Sequence, residues 1–181
     1  YASKWLNCVV VYANDSLIES INNLTFIDSI VYVCPEMSNN TSLNNKWDKI
    51  NYSQIDNIDN KSVYGQGFGQ INQINGIPVH DAGYKGDGII ITVLDAGFNN
   101  VNQLAGLQHL FDNNKIIYTS DLVEKYGDIY SPTGNSHGTS VLSCMASYLP
   151  NEFVGTAPEA SYILIRTEDA FSEYLIEEFN W

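Results

Sequence analysis

Two residues have the type and placement for proton-transfer chemistry. Asp95 closes the run IIITVLDAGF (89–98), and His137 stands in NSHGTSVLS (135–143). A carboxylate leaving an apolar strand is partly desolvated and needs a charged or hydrogen-bonding partner. An imidazole can be that partner: an aspartate on one ring nitrogen sets the tautomer and stabilises the imidazolium formed when the other nitrogen accepts a proton. His137 opens a helical pattern after Asn135 and Ser136, either of which can cap it. A helix N-terminus disfavours positive charge, which suits a ring that waits neutral. Each residue alone has an ordinary explanation, since Asp before Ala-Gly forms turns and an isolated His is usually structural. Together they lie 42 residues apart with one strand between them. A crossover can therefore bring them to neighbouring edges of one crevice, where open α/β sheets assemble their sites. The implied chemistry is general base catalysis by an aspartate-oriented histidine.

The elements that must position this pair can be read from periodicity. IIITVLDAGF is a continuous β-branched run, as for a strand buried on both faces of a parallel sheet. KIIYTSDL (115–122) and SYILIRT (161–167) supply two more strands, with a helical or looped stretch over 100–112 and a polar loop over 124–136. In the helix opened by His137, Val141, Leu142, Met145 and Tyr148 or Leu149 recur at helical spacing. Gly138, Ser140, Ser143 and Ala146 are small and allow close packing on the sheet. GQINQINGIPVH suggests short helical turns, YKGDG a glycine-rich turn, and SEYLIEEFNW a further helix start. Strands alternating with helices predict an α/β fold with a parallel sheet flanked by helices over residues 63–181.

Residues 1–36 predict a small, separate α+β unit. WLNCVVVYA reads as a strand, SLIESINNL as a helix with Ser16 as N-cap and Glu19 three residues on, and SIVYVCPE as a second strand. Residues 37–62 hold seven asparagines in 26 positions and no sustained period, and read as an exposed linker. The N-x-S/T sequons there are expected by chance in so Asn-rich a stretch. Cys8, Cys34 and Cys144 fit no zinc spacing. Cys8 and Cys34 can pair if their strands are neighbours, and buried free thiols are the plainer reading.

ITVLDAGF and NSHGTSVLS resemble the aspartate and histidine motifs of the subtilisin-like serine proteases, the subtilases. VGTAPEASYILIRTED resembles the segment that follows them in that family, and residues 1–36 are similar to the C-terminal half of its inhibitory propeptide. The resemblance implies a peptide-bond hydrolase in which Asp95 orients His137 and His137 activates a serine. In the family's order that serine lies far downstream in a Gly-Thr-Ser segment, beyond an oxyanion-hole asparagine. Neither is in this chain, and Ser136, Ser140 and Ser143 stand too close to His137 to match the nucleophile. The chain alone is therefore expected to be inactive. The resemblance also places Glu168, Asp169 and Ser172, in the loop after the third strand, at the border of the substrate cleft, with a solvated loop as the alternative. It implies secretion or a cell-surface location, the chain's own propeptide and a peptide or protein substrate as partners, and no cofactor for catalysis. The acidic balance is compatible with the structural calcium common in the family, although no contiguous ligand set such as DxDxDG is present.

Composition narrows the alternatives. A net charge of −13 in 181 residues argues against nucleic acid or an anionic membrane as main partner. No apolar stretch reaches the length of a membrane span. Tyr1 in place of an initiator methionine, and an end at Trp181 inside a helical pattern, are read as marks of a piece of a longer protein. GYKGDG precedes its strand, whereas a dinucleotide-binding loop follows one. An aspartyl phosphotransferase needs a second acidic residue two positions after Asp95, where Gly97 stands. His80 and His109 have no partners in sequence and read as structural. A non-catalytic subtilase homologue that keeps the fold as a binding module is the remaining competitor.

Overall fold

The computed structural model describes residues 2–3, 7–33, 63–124, 126–171 and 174–180. The linker read over 37–62, Cys34 and Ser172 lie outside the described residues.

At the N-terminus, two short strands, β1 (Ala2–Ser3) and β2 (Cys8–Val9), pair antiparallel and precede helix α1 (Asp15–Asn22). Asn14, not Ser16, is the N-cap: its Oδ1 accepts the Leu17 N–H at 3.0 Å. Asn14 precedes the helix and can turn its carboxamide oxygen onto the free first-turn N–H groups, while Ser16 already lies inside. The long first strand shortens to two residues after Asn7, which takes a left-handed φ of 49°. Over 29–33, the described part of the expected second strand, no strand forms. Cys8 and Cys144 are free thiols; Cys8 is half-buried rather than buried, and Cys144 is exposed.

From residue 63 the α/β pattern takes shape. Helices α2 (Phe68–Gln73) and α3 (Gly76–Asp81) lead into β3 (Ile90–Asp95). Two 3-10 turns, at Val101–Gln103 and Ala105–Leu107, run into α4 (Gln108–Asp112), and β4 (Ile116–Asp121) follows. Next come α5 (His137–Ala146), a hairpin of β5 (Tyr148–Leu149) and β6 (Phe153–Val154), β7 (Ser161–Arg166) and α6 (Leu175–Asn180). β3, β7 and β4 form a parallel sheet in the order β3-β7-β4. Asparagines at left-handed φ make several of the turns: Asn75 between α2 and α3, Asn114 before β4, and Asn151 in the β5–β6 hairpin. Asn tolerates this region better than other non-glycine residues, because its short amide can bond locally.

One face of the sheet carries the core. Val93, Tyr162 and Leu164 pack with Phe98, Val101, Leu107, Leu110, Leu142 and Ala146 in a single buried cluster. The opposite face is open, so β3 is not buried on both sides as its sequence suggests: Ile90 is 60% exposed and Tyr118 on β4 57%. The helix α5 stands against β3 on the packed side. Its buried residues Gly138, Thr139, Leu142 and Ala146 include a ridge at every fourth position. The helix ends at Ala146, and Tyr148 and Leu149 leave the helical stripe to pair with β6. The Ser147 N–H is bonded to the Ser143 carbonyl, and an extended Ser147 (ψ 139°) turns the chain into that hairpin.

Candidate functional site

Asp95 is the last residue of β3 and His137 the first of α5, so each side chain leaves a regular element at its end. The Asn135 carboxamide oxygen accepts the His137 N–H at 2.7 Å, whereas Ser136 makes no side-chain cap bond. His137 Nδ1 lies 2.9 Å from Asp95 Oδ2 and 3.0 Å from Oδ1. An ionised carboxylate only accepts, so Nδ1 carries the proton and donates, which leaves Nε2 as the ring's acceptor. The Asp95 side chain is 9% exposed and that of His137 26%. Oδ1 of Asp95 also accepts the Ala96 N–H at 2.7 Å, which fixes the plane of the carboxylate.

Two glycines permit this approach. A Cβ on Gly138 would meet the Gly97 carbonyl oxygen at 2.5 Å and the Asp95 Cβ at 2.9 Å; one on Gly97 would meet the Asn135 carbonyl oxygen at 2.7 Å. Gly138→Ala gains about 1 kcal/mol in helix propensity. The clash with the Gly97 carbonyl oxygen, the Phe98 ring and the Asp95 Cβ outweighs it, since overpacking a tight site costs about 1–3 kcal/mol. The expected result is a lower Tm, with His137 pushed off Asp95 and the far-downfield resonance of its Nδ1–H weakened. Thermal melts and proton NMR on the same preparation check both.

Beside the pair is a cavity of about 220 Å³, lined by residues that include Gly97, Glu124, Asp128, Ser131, Asn135 and Arg166. Glu168 and Asp169 are partly buried but do not line it. Asp169 instead accepts the Phe171 N–H at 3.1 Å, closing a local turn. The residue that sequence reasoning missed is Arg166. Its Nε–H donates to the Ala96 carbonyl at 3.2 Å and its Nη1 lies 3.1 Å from Asp121 Oδ2. The signal was present: a cation ending the apolar run SYILI needs a counter-charge.

The other histidines have structural partners. His80 Nε2–H donates to the Thr156 carbonyl at 2.9 Å, so its Nδ1 accepts the Tyr64 O–H at 3.2 Å. His109 Nε2–H donates to the Pro158 carbonyl at 2.9 Å. Among the described residues no group of three or more His, Cys, Asp or Glu could hold a metal ion. Nor is any described helix long and apolar enough to cross a membrane.

Tyr130, in the loop before α5, packs edge-on against Phe111. Burial first, and the Asp128 carboxylate second, push its phenol up to about 12. An unfolded tyrosine ionises near ~10. The fold therefore favours the neutral phenol. This stabilisation is complete below about pH 10 and is lost as pH rises through about 12. Tyr130→Phe is expected to flatten the fall in Tm across that alkaline window, read by melts at a series of pH values.

Comparison with known proteins bears on the other end of the chain. Residues 1–51 match the peptidase S8 propeptide domain of Bacteroidota. The N-terminal segment is thus similar to a subtilase-type propeptide. The matched stretch runs past residue 36 into the Asn-rich segment and ends well before Asp95 and His137. No curated protein matches the chain.

Proposed function

We propose that the chain is the N-terminal part of a subtilisin-like serine endopeptidase precursor, with Asp95 and His137 as two members of its catalytic triad. The observation that carries this reading is the two-oxygen contact of Asp95 with His137 Nδ1 at 2.9 and 3.0 Å, at the meeting of a strand end and a helix start. The peptidase S8 propeptide match supports it independently, from a segment that contains neither residue.

In this reading His137 Nε2 takes the proton of a serine supplied downstream, and the serine Oγ attacks the carbonyl carbon of a peptide bond. Asp95 stabilises the imidazolium, which then gives its proton to the departing amine. Water, deprotonated by the same nitrogen, releases the acyl group and regenerates the serine. The propeptide-like segment is the chain's own partner, covering the cleft until export is complete. Export follows from the propeptide likeness, and the substrate is a peptide or unfolded protein.

The test is labelling with a serine-directed fluorophosphonate, alongside cleavage of a quenched peptide. Full-length protein freed of its propeptide is expected to label and to cleave, and residues 1–181 alone to do neither, since a base without a nucleophile forms no acyl-enzyme. Stoichiometric labelling of residues 1–181 would overturn the assignment. A folded full-length protein that binds peptide without labelling would make it a binding module.

A further inference from the structure

We infer that Arg166 is a positioning residue of the candidate site: by bonding the Ala96 carbonyl beside β3 and the Asp121 carboxylate on β4, it holds the turn that aims Asp95 at His137. The inference rests on the triad reading above for its catalytic consequence, though not for its geometry.

Asp95, Arg166 and Asp121 occupy one row across the sheet, because Asp95 pairs with Arg166 and Arg166 with Asp121 in the parallel register. β7 is the central strand, so its last side chain can reach both neighbours. Toward β3 the guanidinium donates through Nε–H to the Ala96 carbonyl. Toward β4 it meets Asp121, whose side chain is 2% exposed, and at 3.7 Å the more exposed Glu124. Asp121 is anchored in turn, its Oδ1 accepting the Val123 and Glu124 N–H groups at 3.0 and 2.8 Å.

The consequence lies at Ala96, which is fully buried. Its N–H holds Asp95 Oδ1 at 2.7 Å and its carbonyl is held by Arg166, so the peptide units on both sides of one residue are pinned. An ion pair that served stability alone would need only Asp121. The second arm, onto the backbone next to Asp95, transmits the anchor to the carboxylate. A guanidinium can do this because its donors are fixed in a planar fork, whereas an ammonium is a single point charge.

The experiment compares Arg166→Met, Arg166→Lys and the double variant Arg166→Met/Asp121→Asn in the full-length protein. It reads Tm, kcat and KM on a peptide substrate, and the far-downfield proton resonance of the Nδ1–H shared with Asp95. Arg166→Met leaves a buried carboxylate without its cation and is expected to lower Tm, with kcat down about 10²-fold and KM little changed. Arg166→Lys restores Tm in part and kcat less. The double variant removes the orphaned charge and restores Tm, while kcat stays low and the resonance stays weak. Recovery of kcat and resonance together with Tm in the double variant would reduce Arg166 to a structural ion pair and overturn the inference. Wild-type protein that shows the resonance but no peptidase activity would instead overturn the triad reading, and the resonance in the variants would still decide the role of Arg166.

Discussion

In the proposed triad, His137→Ala in the full-length protein is expected to lower kcat by about 10⁶, the scale set by removing one member of a serine-protease triad. On that reading the geometry around the ring explains so large an effect. Nε2 is the only ring position left to accept a proton once Nδ1–H is committed to Asp95. Neither His80 nor His109 can substitute, because they are tied to the carbonyls of Thr156 and Pro158. The residual rate over water should be that of binding and oxyanion stabilisation alone, which are left intact. KM should change little, since the ring takes part in proton transfer. Folding should be preserved, because the Asn135 bond to the position-137 backbone N–H does not involve the side chain. Steady-state kinetics with an active-site titration measure this directly, and near-normal turnover in a well-folded variant would remove His137 from the mechanism.

Asp95→Asn is expected to cost about 10⁴ in kcat, through the wrong tautomer rather than through lost space. Local geometry determines which way the new amide turns. The Ala96 N–H donates to Oδ1 at 2.7 Å, so the amide oxygen must stay there to avoid facing one N–H with another. The NH₂ then occupies the place of Oδ2, 2.9 Å from His137 Nδ1, and can only donate to it. Nδ1 becomes the acceptor and the proton moves to Nε2, the nitrogen that accepts from serine in the proposed mechanism. Asp95→Ala lacks this donor and leaves the tautomer free, so it is expected to be no worse than Asp95→Asn in spite of the lost volume. An Asn variant clearly faster than the Ala variant would show that the carboxylate does not act by holding the tautomer. Nitrogen chemical shifts of the His137 ring in the two variants read the tautomer itself.

Much of the frame was legible because it rests on local pattern. The runs around Ile90–Asp95, Ile116–Asp121 and Ser161–Arg166 are strands; of the four small residues of α5 read as packing on the sheet, Gly138 and Ala146 are buried, Ser143 is half-buried and Ser140 is exposed. Local pattern failed where two nearby groups compete for one role. Asn14 and Ser16 both suit an N-cap, and which one caps depends on where the preceding chain turns. Tyr148 and Leu149 fit the apolar stripe of α5, yet pairing with Phe153 and Val154 draws them into a hairpin. The open face of β3 was not legible at all, because a β-branched run reads the same whether one face or both are covered.

The candidate site divides along the same line. By itself the sequence determined that an aspartate would end an apolar strand and a histidine would begin a helix, since strand and helix limits follow from residue periodicity and capping chemistry. It determined that Gly138 would follow that histidine, where any larger residue collides with Asp95 and Gly97. Only the tertiary structure decided that Arg166 stands in the row between Asp95 and Asp121, because strand order is set by how distant segments pack and not by their order in the chain. The same packing brings the Nδ1 of His137 to 2.9 Å from a carboxylate 42 residues away.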